Sequence, residues 1–108
     1  MKSNRNNSSQ IRLDAFNRIL DSLNDQDSPV VVEGHSDTLA LRSLGYHGEV
    51  IELNDGQSVL STVEKLAQKL GTSGIFVIMT DWDRTGGRLA KQLKECGESS
   101  DLVPDLRI

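Results

Sequence analysis

The run Val30-Val31-Val32 constrains this chain more than any other feature. Three consecutive β-branched residues favour an extended backbone, and an unbroken apolar run needs cover on both faces. Pro29 before it and Gly34 after it leave no room for a helix. A strand of this kind belongs inside a parallel sheet. The rest of the chain supplies its partners. Residues 49–53 read as a second short strand and residues 75–80 as a third, the most apolar of the set. Leu102 and Val103 start an edge strand, limited by Pro104.

Helical patterns separate these runs. Phe16, Ile19, Leu20 and Leu23 recur at helical spacing over residues 11–24. Leu39, Ala40, Leu41 and Leu44 mark a short helix closed by Gly45. Ser58 caps a helix whose stripe is Val59, Val63, Leu66, Ala67 and Leu70, with Gly71 ending it. Residues 84–96 form another, with Leu89, Ala90, Leu93 and Cys96 inward. Asn54-Asp55-Gly56 is a turn, and Tyr46 falls in another. Strands alternating with helices predict an α/β fold: an open, mainly parallel sheet of about four strands, with helices on both faces. Residues 1–10 are polar and read as a disordered tail. Residues 11–108 read as one domain that opens with a helix and holds no internal repeat.

Composition closes several routes. The 108 residues carry a net charge of −4, so the chain is not a strongly basic nucleic-acid binder. A phosphate partner would have to be met by a local basic patch or through a metal ion. The single cysteine, Cys96, excludes an internal disulfide framework and a cysteine-built zinc site. The longest apolar run is five residues, too short to span a bilayer, and the N-terminus lacks an apolar signal region. The expectation is a cytoplasmic protein without a membrane partner.

Ligands of open α/β sheets bind beyond the carboxyl ends of the strands. The first strand ends in Glu33-Gly34-His35-Ser36-Asp37 and the third in Thr80-Asp81-Trp82-Asp83-Arg84-Thr85-Gly86. If these strands are neighbours, Glu33, Asp81 and Asp83 converge. Three carboxylates so placed either raise a pKa or hold a cation between them, and all-oxygen ligation suits Mg2+. Asp37 reads either as a helix cap or as part of the site. Gly34 and Gly86 are turn glycines that would also admit a phosphate close to the backbone. Arg84, Arg88 and Lys91 share one helix face, which is either a solvated surface or a contact for flanking phosphates. His35 is either a phosphate contact or a loop histidine without a role.

These two segments resemble the motifs of the Toprim domain. Val30-Val31-Val32-Glu33-Gly34-His35-Ser36-Asp37 is similar to the first, a hydrophobic strand followed by Glu-Gly and an Asp. Ile78-Met79-Thr80-Asp81-Trp82-Asp83-Arg84-Thr85-Gly86 is similar to the second, hydrophobic residues followed by Asp-x-Asp and a nearby Gly. The resemblance covers residues 30–96. It lies nearest to small stand-alone prokaryotic Toprim proteins, ribosomal-RNA maturation nucleases and primase Toprim domains. It implies a Rossmann-like Toprim fold and phosphodiester chemistry on RNA or DNA. Glu33 would be general acid or base, and Asp81 and Asp83, with Glu33, would hold Mg2+ or Mn2+. The implied partners are nucleic acid and a protein that supplies specificity. Topoisomerases extend the pair to Asp-x-Asp-x-Glu; here that position is Thr85, which argues against strand passage. The alternative within the resemblance is a module that binds nucleic acid or a partner protein and cuts nothing.

Other readings fit less well. Asp81, Asp83 and Thr85 match the start of a haloacid-dehalogenase-type phosphatase, but too little chain follows for that fold's later Lys and acidic pair. An EF-hand starting at Asp81 places Gln92 where a Glu is needed.

Overall fold

The computed structural model describes residues 14, 17–53, 58–80 and 84–106. The tail expected at 1–10 and the turn expected at Asn54-Asp55-Gly56 lie outside them. Helix α1 is described over residues 17–25. It is followed by β1 (Val30–Val32), α2 (His35–Ser43), β2 (Val50–Glu52), α3 (Val59–Leu70), β3 (Ile75–Ile78), α4 (Arg84–Ser99) and β4 (Val103–Leu106).

The four strands form one sheet in the order β2-β1-β3-β4, and every pairing is parallel. Strand β1 sits inside it, with Val30 opposite Val50 on one side and Val77 on the other. Its ladder is continued by Val30 N–H to Glu49 O at 2.9 Å, Leu53 N–H to Val32 O at 3.0 Å and Met79 N–H to Val31 O at 2.9 Å.

Alternation along the strands divides the core into two layers. Val30, Val32, Val77 and Met79 pack with Leu20 and Leu23 of α1, Leu41 of α2, and Tyr46. Val31, Phe76 and Ile78 pack with Val63 and Leu66 of α3 and Ala90 and Leu93 of α4. All three valines of β1 are 0% exposed. Burying a side chain of this size contributes about 1.5–3 kcal/mol. The helices lie on both faces because the chain changes direction. The step from β1 to β2 runs one way, and the step from β2 to β3 crosses back over β1. Right-handed connections of opposite sense place α2 and α3 on opposite faces.

The helix ends follow the chain's local chemistry. Ser58 Oγ accepts from Ser61 N–H at 3.1 Å, and Gly71 ends α3 in the left-handed region at φ 78°. Helix α2 closes in a Schellman turn: Gly45 N–H donates to Arg42 O at 3.1 Å and Tyr46 N–H to Leu41 O at 3.0 Å. Gly45, at φ 101°, supplies the left-handed residue. At the far edge, Val103 N–H donates to Gly74 O at 2.8 Å. Pro104, one residue on, therefore stands where a backbone donor would face away from the sheet.

Two features of α2 and its end go beyond the sequence reading. Leu39 and Leu44 do not face the core; they are 57% and 44% exposed, and Leu41 alone of the α2 leucines is buried. Helix α2 rests on the β1–β2 end of the sheet through Leu41 and the half-buried Thr38, so its inward stripe is partly polar. Tyr46 is a core residue, 1% exposed, packed against the sheet by the Schellman turn. Burial raises its phenol pKa above the ordinary value, with Arg42 opposing that effect.

Two measurements check this packing. A Cβ on Gly97 would stand 2.8 Å from the ring of Phe76, which is fully buried. Overpacking of about 1–3 kcal/mol should outweigh the helix propensity gained, about 1 kcal/mol, so Gly97→Ala should lower the urea midpoint. Tyr46 is the only tyrosine. Its tyrosinate absorbance should appear above the pH at which a free tyrosine titrates, and titration at the free value would place the ring in solvent.

Candidate functional site

Strand order fixes where a ligand can enter. The chain leaves β1 towards β2 on one side, while β3 lies on the other, so the order reverses between β1 and β3. The crevice beyond the carboxyl ends at such a reversal is the ligand site of open α/β sheets. The segments after β1 and β3 are the two singled out in the sequence.

Val31 pairs with Ile78. Continuing that register by two residues sets Glu33 alongside Thr80, at the spacing of adjacent strands, about 4.8 Å. Glu33 is half-buried, and Thr80 is 0% exposed. Asp81 and Asp83 lie outside the described residues, as does Trp82. Arg84 and Gly86 fall in the first turn of α4, and their side-chain surroundings are likewise outside the description. Arg88 and Lys91 are exposed on α4. Among the described residues, no three acids, histidines or cysteines gather into a metal cage. The oxygen donors at Glu33, Asp81 and Asp83 are of the chemistry Mg2+ takes.

Asp37 does the work of a cap. Its Oδ2 accepts from Gly34 N–H at 3.2 Å across the first turn of α2. Gly34 has no side chain with which to return the bond, so half of a capping box is present. Gly34 itself is extended, at φ −156°, a conformation open to any residue.

The structure adds a residue that sequence reasoning missed. Glu52 ends β2, level with Val32, and so belongs to the same carboxyl edge. Its Oε2 accepts from Thr38 Oγ1 at 2.6 Å and meets His35 Nδ1 at 2.9 Å. These two hydrogen bonds, Thr38 first, hold its carboxyl below the usual glutamate range. They tie the first turn of α2 to the neighbouring strand. The signal was available: Glu52 ends an apolar pair just as Glu33 ends an apolar run.

The architecture defines an open parallel α/β domain whose strand order reverses between the first and third strands. The chain is 38% identical over 100 residues to a UPF0292 protein of Methanosarcina barkeri, across 90% of this chain and 67% of that one. It is 36% identical over 78 residues to a UPF0292 protein of Thermococcus onnurineus and 37% identical over 78 residues to one of Pyrococcus abyssi. Those two alignments each cover 72% of this chain and 55% of the relative. The chain belongs to the UPF0292 family. It spans between about half and two thirds of the length of these relatives. No protein-family model matches it. Among solved structures, a putative protein from Aquifex aeolicus is similar, with a TM-score of 0.67 and 25% identity, over 80% of this chain and 77% of that one. No described helix is long and apolar enough to cross a membrane.

The Glu52 anchor gives the domain a defined acid response. A carboxyl depressed in the folded state adds stability above its unfolded pKa and loses it as pH falls through the folded value. The melting temperature should fall more steeply in wild type than in Glu52→Gln as pH is lowered through the carboxylate range. The two curves should converge at the acid end. Equal slopes throughout would show that Glu52 carries no such anchor.

Proposed function

We propose that this chain is a Toprim-type domain that acts, with Mg2+ or Mn2+, on phosphodiester bonds of nucleic acid. The observation that carries the reading is the β2-β1-β3-β4 order, which makes the Glu33 segment and the segment after β3 neighbours across the switch point. Two acidic motifs of the expected wording, one following β1 and one following β3 in the amino-acid order, support it further.

Glu33, Asp81 and Asp83 would hold the metal, which supplies charge neutralisation at the phosphate and an activated water. With the metal carried by Asp81 and Asp83, Glu33 would instead serve as the general acid that gives a proton to the leaving oxygen. Gly34, extended and with its N–H held by Asp37, would admit a phosphate close to the backbone beside Glu33. Arg84, Arg88 and Lys91 would meet flanking phosphates along α4, and Gly86 would leave room at its first turn. These basic side chains are needed because the chain as a whole, at −4, repels a polyanion.

The test is cleavage of structured RNA and DNA with and without Mg2+, comparing wild type with Glu33→Gln. Metal-dependent cleavage should fall by about 10²–10⁴-fold in the variant, the range of one general acid or base, while binding is kept. Undiminished cleavage by Glu33→Gln would overturn the role of Glu33. Binding by wild type without cleavage of either polymer would leave a module that recognises nucleic acid and does no chemistry.

A further inference from the structure

The polar N-terminal segment has no part in the function proposed for the switch point. Residues 1–13 lie outside the described residues, and their chemistry is read from the amino-acid order. Lys2, Arg5 and Arg12 are the charged residues of the segment, and the first acid of the chain is Asp14. The segment thus carries +3 within a total of −4, which leaves −7 on residues 14–108. That division sets a basic arm on an acidic body. Between Lys2 and Gln10 no side chain is apolar. Such a stretch has nothing to bury in a protein groove or a lipid surface, whereas its Asn and Ser side chains donate to phosphate oxygens alongside its charges.

The described structure fixes where this arm is attached. Asn24 holds the last turn of α1 at the amino edge of the sheet. Its Nδ2 donates to Gly45 O at 3.0 Å and its Oδ1 accepts from His47 N–H at 2.9 Å, in the turn that leads into β2. From there α1 lies back over Val30, Val32, Val77 and Met79 through Leu20 and Leu23. Residues 17–25 span about 13 Å at helical rise, more than the roughly 10 Å of a three-residue strand. The start of α1 is therefore directed towards the carboxyl edge, where Glu33 and the segment after β3 follow their strands.

We infer that residues 1–13 are an electrostatic arm that binds the phosphate backbone of nucleic acid beside the β1/β3 switch point, through Lys2, Arg5 and Arg12. The inference rests on the nucleic-acid reading and adds to it how a body of charge −7 captures a polyanion. An extended chain covers at most about 3.6 Å per residue, so Lys2 can reach up to about 40 Å from Asp14. That is far enough to meet phosphates that flank the reacting bond, while Arg12 stays near the start of α1. Contacts of this kind hold the strand equally before and during cleavage, so they set affinity and leave the chemical step alone.

Binding of RNA and DNA oligonucleotides over a range of salt, without Mg2+, tests the inference. Wild type is compared with a triple variant carrying Lys2→Gln, Arg5→Gln and Arg12→Gln. The control is Lys65→Gln, which removes an exposed charge from α3 on the opposite face of the sheet. Loss of three phosphate contacts should make the plot of log K against log salt shallower by about 2–3 units in the triple variant. Lys65→Gln should leave the slope as it is. In cleavage, the triple variant should raise KM and keep kcat. An unchanged slope in the triple variant, an equal loss per charge in Lys65→Gln, or a fall in kcat at unchanged KM overturns the inference. If the chain still cleaves through Glu33 in any of these cases, the parent reading stands. A wild-type chain that binds neither polymer at low salt overturns both.

Discussion

Everything in this domain depends on a three-residue strand that is hydrogen-bonded on both sides and covered on both faces. Val30–Val32 is the shortest possible unit that can do this. Its backbone groups go to β2 on one side and β3 on the other. Its side chains alternate between the α1–α2 layer and the α3–α4 layer. Strand β3 beside it does the same, with Phe76 and Ile78 in one layer and Val77 in the other. Strand β1 therefore holds the two cores in place and leads directly into Glu33 at the switch point, which links stability to the candidate site through a single backbone.

Much of this was legible in the amino-acid order, because the strongest signals were chemically simple. β-branched runs gave strands, Ser58 and Gly71 gave helix limits, and alternation of strand with helix gave a parallel sheet covered on both faces. What misled was local context. Leu39 and Leu44 look like core residues, but α2 is nine residues long and lies over the β1–β2 end of the sheet, where one leucine suffices. Tyr46 does lie in the turn that the sequence indicates; what residue order did not show is its burial. The Schellman turn swings the next side chain inward, and periodicity cannot show a direction set by a left-handed residue.

The site was legible in part for a related reason. Glu33 stands out because it follows a run with no other purpose than burial. Glu52 did not, since a strand reading one residue longer placed it before Leu53, inside the element rather than at its end. Nothing in residue order pairs Glu52 with Thr38 and His35, which come from a helix earlier in the chain; only the parallel register of β1 and β2 brings them level. Asp37 read either as a cap or as part of the site, and its carboxylate, from the third position of α2, holds Gly34 N–H as a cap does.

The placement of Pro104 bears on how the molecule avoids its own kind. Strand β4 is one of the two outer strands of the described sheet, and its Val103 and the neighbouring Ile75 are nearly half exposed. Apolar borders with free amide donors invite sheet-to-sheet association. The imino ring removes one such donor on the outward side while leaving the inward bond of Val103 intact. Replacing that ring with an ordinary residue would keep the monomer's ladder whole and restore the missing amide on its rim. The cost would fall on colloidal behaviour rather than on folding.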